Sequence, residues 1–168
     1  MLFGQRQYED DLIKTAFNRG KHRGPEFSTI NRIKNIDNVI IGFHRLAING
    51  LNTSSHQPLE HNGIYLICNG EIYNYKQLYE EQDIIPKTES DCEVILHLYE
   101  RFGLESTLNM IDGVFAFILV DTNKGLVMNA HDVYGVRPMF HLKNTGISIG
   151  FTSEMKQLIP LHRESDII

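Results

Sequence analysis

The segment VFAFILVD at 114–121, the polar turn at Asn123 to Gly125 and the segment LVMNAHD at 126–132 constrain this chain more than any other feature. Two apolar runs joined by a short turn containing glycine read as an antiparallel hairpin. Further strands are expected around it. VIIGFHRLAI at 39–48 is β-branched and apolar with little alternation, which suits a strand buried on both faces. IYLIC at 64–68 is a second such strand, and Asn69-Gly70 reads as the turn that ends it. Short strands are expected near Met139 to Leu142 and Ile147 to Phe151.

The helices fall between these strands in separate groups. In EDDLIKTAFNR at 9–19, Leu12, Ile13, Ala16 and Phe17 share one face and acidic residues fill the first turn. A second helix is expected from about Tyr75 to Gln82, with Pro86 as a breaker. A third spans Asp91 to Phe102, with Ser90 and Glu93 placed as a capping box, Val94, Leu98 and Phe102 on one stripe, and Gly103 as its stop. A last helix starts at Ser153, with Glu154 in its first turn. Strands in hairpins and helices in groups favour antiparallel sheets with helices on their outer faces. The expected class is therefore α+β, as one compact domain over 1–168 with no internal repeat.

Composition excludes several roles. The net charge is −5 and no run of Lys or Arg forms a stripe, so a surface that tracks nucleic-acid phosphates is not expected. No apolar stretch approaches the roughly 20 residues of a membrane helix. MLFGQRQYEDD turns acidic at once and carries no signal-peptide core. Cys68 and Cys92 are too few for a disulfide framework, which fits a reducing, cytoplasmic setting, and both read as core thiols. The eight histidines show no ligand spacing, so neither a metal nor another cofactor is expected.

Four short segments carry more polar and glycine content than a scaffold needs: His22 to Glu26 (HRGPE), His44 to Ile48 (HRLAI), Asn69 to Asn74 (NGEIYN) and Ser90 to Glu93 (SDCE). Each has a structural explanation alone: a loop, a rim arginine, a turn with Asn74 as helix cap, a capping box. Together they meet the demands of an amino-acid substrate bearing a side-chain amide. Arg45 offers a guanidinium fork for a carboxylate. Asp91 at a helix start suits an ammonium. Asn69 and Gly70 can aim a side-chain amide and a backbone N–H at a developing oxyanion.

HRGPE, HRLAI, NGEIYN, SDCEVILHLYERFG, GVFAFILVD, HDVYGVRP and TSEMKQLIP resemble, in order and spacing, the glutaminase domain of asparagine synthetase, from Phe17 to Leu161. The resemblance implies an Ntn-hydrolase-like fold, a four-layer αββα sandwich of two antiparallel sheets. It also implies glutamine as ligand and a reaction releasing glutamate and ammonia. Arg45 would clamp the α-carboxylate, with Leu46, Ile48 and Asn49 in the pocket lining. Glu71 and Asp91 would hold the ammonium, and Asn69 and Gly70 would form the oxyanion hole.

Three departures accompany it. The family's nucleophile is a cysteine after the initiator methionine, and here the second residue is Leu2. The segment before HRGPE is shorter than in the family, so the first strand is expected to be shortened or missing and the domain truncated at both ends. His131 stands where the family has Arg, and no ATP-pyrophosphatase motif or synthetase domain is present in the sequence. Three readings follow: an inactive glutamine-binding homologue, an active glutaminase whose true start lies upstream and which passes ammonia to a synthetase subunit in trans, or a non-functional gene fragment.

Overall fold

The computed structural model describes residues 2–4, 8–46, 52–144, 148–162 and 166–167. The chain divides into two compact units, one formed by Met1–Leu46 with Pro138–Ile168 and the other by Ala47–Arg137.

The first unit is built on a six-stranded antiparallel sheet. Its strands are β1 (Leu2–Gly4), β2 (Phe27–Arg32), β3 (Ile40–Arg45), β8 (Phe140–Asn144), β9 (Ser148–Thr152) and β10 (Asp166–Ile167), in the order β10-β8-β9-β1-β3-β2. The first strand is short but present, so the expectation that it might be missing altogether is corrected. Leu2 pairs with Ile40 on one side and Gly150 on the other, and three residues suffice because both flanking strands supply backbone partners. The strand expected over 39–48 is shorter and less buried than its apolar composition suggested. Only Ile41 and Arg45 of β3 are buried, and Gly42 to His44 are half-buried. Helix α1 (Asp10–Asn18) buries Ile13 and Ala16, and its face packs with Leu142, Leu158 and Leu161, the last two from α4 (Met155–Leu158) and the turn after it.

The second unit carries a four-stranded antiparallel sheet, β4 (Leu59–His61), β5 (Ile64–Ile72), β6 (Gly113–Asp121) and β7 (Leu126–His131), in that order. The β6–β7 hairpin has the register expected, with Asp121 opposite Leu126. Helices α2 (Tyr75–Glu81) and α3 (Glu93–Met110) cover one face of this sheet, and Leu66, Cys68, Ile72, Val94, Ile95, Leu98, Phe117 and Leu119 form its core. Each fully buried aliphatic side chain of this kind contributes about 1.5–3 kcal/mol.

Three local expectations change here. Asn69-Gly70 does not end the strand; β5 continues to Ile72, which pairs with Gly113. An Asn-Gly pair signals a reversal only where the chain is free to turn, and here the β6 backbone holds it extended. A Cβ on Gly70 would lie 2.2 Å from the Val114 carbonyl oxygen, so a side chain is excluded at this crossing. The capping box is not made either. Helix α3 begins at Glu93 with Cys92 at its N-cap and no side-chain cap, because the Glu93 carboxylate turns to the preceding loop. Asn74 occupies the N-cap position of α2 without capping it. Its amide instead donates to the Met110 carbonyl at 2.9 Å and accepts from the Asp112 N–H at 2.9 Å.

Candidate functional site

In the first unit the sequence packs its HRGPE and HRLAI motifs against one another. Pro25 forms a parallel bridge to Arg45, and the Glu26 N–H donates to the Arg45 carbonyl at 3.3 Å. The approach is close enough that a Cβ on Gly24 would meet the His44 carbonyl at 2.4 Å, which is why glycine precedes the proline. His44 is fixed by three elements. Its ring stacks on Phe17 with 3.9 Å between centroids, its Nε2 lies 2.8 Å from the Phe17 carbonyl and its Nδ1 lies 2.8 Å from the Ser28 hydroxyl. A carbonyl can only accept, so Nε2 carries the proton and Nδ1 accepts from Ser28. This clamp leads directly into Arg45, which is buried, while Leu46 beyond it is exposed. Ile48 and Asn49 lie outside the described residues.

The second unit brings four predicted residues together. Asn69 and Glu71 alternate with Gly70 along the end of β5, both half-buried, and they share the sheet face opposite the one that carries Cys68 and Ile72. Asp91 approaches the same strand end from the start of α3. It is 4% exposed, and its Oδ2 accepts the Ile72 N–H at 2.7 Å. The Cys92 thiol reaches the Gly70 carbonyl at 4.0 Å and Asp91 Oδ2 at 3.9 Å. A carboxylate is thus held at the end of the strand that presents Asn69, Gly70 and Glu71.

Neither thiol has nucleophilic character. Both are buried, and contact with Cys68, then burial, then the Asp91 charge push the Cys92 thiol well above its ordinary value, keeping it protonated. The Tyr79 hydroxyl is raised as well, first by burial and then by the charges of Glu93, Cys92 and Asp91. Among the described residues, no group of three or more His, Cys, Asp or Glu side chains is arranged to hold a metal ion.

Sequence reasoning missed the role of Glu93. It is buried and gathers three donors, the N–H groups of Lys87 and Thr88 at 2.7 Å each and His97 Nε2 at 3.1 Å. Burial alone would raise its carboxyl, but these bonds outweigh it and bring the pKa to about 2. The signal was in the SDCE motif, where the acid was assigned to a cap because the fold of the preceding loop is not written in local spacing.

A glutamine amidotransferase domain family matches residues 2–167. Asparagine synthetase [glutamine-hydrolyzing] of Gallus gallus is 43% identical over 149 residues, covering 87% of this chain and 26% of the synthetase. The Bos taurus and Homo sapiens enzymes of the same name are 40% and 38% identical over 143 residues, each covering 83% of this chain and 25% of theirs. The chain therefore spans about a quarter of the length of these relatives. A solved glutamine phosphoribosylpyrophosphate (PRPP) amidotransferase from B. subtilis, complexed with ADP and GMP, matches with a TM-score of 0.72 at 24% identity, over 95% of this chain and 43% of that one. That likeness shows the fold, an α+β class with antiparallel sheets and helices.

Proposed function

The chain belongs to the glutamine amidotransferase domain family, and from that premise we propose that it binds glutamine and, as the 168-residue chain, does not hydrolyse it. Asn69 and Gly70 take the side-chain amide oxygen, Glu71 and Asp91 the α-ammonium, and Arg45 the α-carboxylate, with Leu46, Ile48 and Asn49 lining the pocket. The observation that carries the reading is the buried Asp91 carboxylate fixed on the Ile72 N–H, at the end of the strand bearing Asn69, Gly70 and Glu71. Such an anchored carboxylate offers a preorganised partner for an ammonium, and the buried Arg45 offers one for a carboxylate.

The absence of turnover rests on chemistry. Hydrolysis in this family proceeds through attack on the glutamine amide. Leu2 cannot attack, and Cys92 is a buried, protonated thiol. Ammonia-consuming synthetases are the natural partner class, with this chain as a glutamine-sensing subunit beside one. It is further supported that, among the described residues, no helix is long and apolar enough to cross a membrane, so membrane insertion through such a helix is not part of the proposal.

Titration calorimetry of glutamine into the purified chain tests the binding, with ammonia release measured in parallel. Binding in the millimolar range or tighter is expected, weakened about 10–100-fold by Arg45→Ala if one charge-assisted carboxylate contact is lost. No heat at millimolar glutamine sinks the binding reading. Stoichiometric release of ammonia over many turnovers sinks the inactive one.

A further inference from the structure

Two acids leave the start of α3 in opposite directions, and only one of them has been given a task. Asp91 reaches forward to the end of β5 through the Ile72 N–H. Glu93 reaches back to the loop between α2 and α3 and takes the N–H groups of Lys87 and Thr88, one on each carboxylate oxygen. His97, one helical turn on, donates its Nε2–H to the same carboxylate. The rest of the loop is tied down in series. The Glu89 N–H donates to the Ser55 hydroxyl at 3.2 Å, the Ser90 N–H to Thr88 Oγ1 at 3.1 Å, and the Glu93 N–H to the Ser90 carbonyl at 3.2 Å. Asp91 is the next residue along. Its place depends on a loop whose only buried anion is Glu93.

We propose that Glu93 is a positioning residue for the ligand's α-ammonium, acting through Asp91 by holding the 87–90 loop in the one conformation that presents the Asp91 carboxylate at the end of β5. The proposal rests on the glutamine reading given above. A carboxylate is required because it alone accepts on both oxygens. A glutamine side chain at 93 keeps one acceptor and turns an NH2 donor toward the other backbone N–H, so one of the two loop bonds is lost and a buried donor goes unpaired. An aspartate keeps the charge but is one methylene too short to span both N–H groups. His97 supports the anion from the helix side. His61, whose ring lies 4.3 Å from that of His97, is engaged with Glu100 at 3.0 Å and with Lys87 Nζ at 3.2 Å, so it does not compete for Glu93.

The test compares two ligands on the full 168-residue chain. Glutamine carries the α-ammonium; its des-amino analogue, the five-carbon acid amide, does not. Glu93→Gln is expected to weaken glutamine binding about tenfold in calorimetry and to leave the des-amino analogue within about twofold of wild type. Asp91→Asn should do the same, and the double variant should be no worse than either single one. Circular dichroism establishes folding, and Glu93→Asp, with an intermediate loss, serves if Glu93→Gln does not fold. Equal weakening of both ligands, or additive losses in the double variant, would overturn the positioning role while leaving the glutamine reading intact. If the wild-type chain binds neither ligand, the glutamine reading fails and takes this proposal with it.

Discussion

A single missing side chain organises the centre of the proposed oxyanion pair. Gly70 sits mid-ladder, and its ideal Cβ would fall 2.2 Å from the Val114 oxygen and 2.6 Å from the Phe115 Cα, both on the neighbouring backbone. Gly113 makes the reciprocal approach, with its Cβ position 2.2 Å from the Glu71 oxygen. Backbone atoms in a paired ladder cannot step aside as a flexible side chain does. Gly70→Ala must therefore push β5 and β6 apart, which should cost about 1–3 kcal/mol of stability, the usual range for overpacking a closed site. A urea titration followed by far-UV circular dichroism measures it, and an unchanged midpoint would mean that the strands are looser than their spacing indicates. The same displacement would move Asn69 and Glu71, so glutamine affinity should fall with stability rather than independently of it.

At the scale of elements, α3 owes its shape to Gly103. The helix runs from Glu93 to Met110 but bends where Gly103 takes φ 77° and ψ 173°, a region open essentially to glycine. No atom lies within 4 Å of where its Cβ would be, so the requirement is conformational rather than steric crowding. Gly103→Ala should then lose about 1–3 kcal/mol through backbone strain alone, with no repacking of the core. Chemical denaturation with an unchanged m-value, alongside unaltered core methyl NMR signals, would check this. The sequence made Gly103 legible as a stop, and the first half of α3 does stop there. It did not reveal the second half, Leu104 to Met110, because a glycine that ends one helix and a glycine that bends two into one look alike in spacing. The β6–β7 hairpin was readable because its strands, its turn and its register are all local. Strand β2 was not, since FSTINR is polar and only the ladder to β3, from Phe27↔Arg45 to Arg32↔Ile40, makes it a strand. The site divides the same way. Arg45, Asn69, Gly70, Glu71 and Asp91 are chemically conspicuous types in short motifs. The tasks of Glu93 and Asn74 depend on which distant backbone groups the fold brings to them.

Over the whole molecule the titratable groups are unevenly shared, and that gives the two units different responses to acid. In the Ala47–Arg137 unit four carboxylates sit below their ordinary values. Burial acts to raise Glu93, Asp121 and Asp132, and hydrogen bonds overcome it: from His97 and the 87–88 backbone for Glu93, from Tyr99 and the Lys124 and Asn123 N–H groups for Asp121, and from the Val136, Phe115 and Tyr134 N–H groups for Asp132. Glu100 is lowered first by its bond from Asn62, against some burial, and then by His61. A group that binds its proton more weakly folded than unfolded adds stability above its unfolded pKa and loses it as pH falls toward the folded value. These four therefore stabilise their unit fully at neutral pH. Their contribution fades from about pH 4.5 downward, to about 2 for Glu93. In the other unit the resolved shift is that of His141, lowered by burial and then by Lys143, with its ring stacked on Phe151 at 4.6 Å. Its pKa also lies below the unfolded value, so its smaller contribution begins to fade near pH 6.5 and involves one group. Hydrogen exchange with mass spectrometry across pH 7 to 2.5, corrected for intrinsic rates, should show this order. Protection in 138–144 and 148–152 softens slightly between pH 6.5 and 5 and then levels, whereas protection in 64–72 and 113–121 holds to about pH 4.5 and then falls steeply. Glu93→Gln should flatten that second fall, because one of the four acid-sensitive carboxylates is gone. A single simultaneous loss of protection in both units, at one pH, would mean that the charges of the second unit do not control its stability.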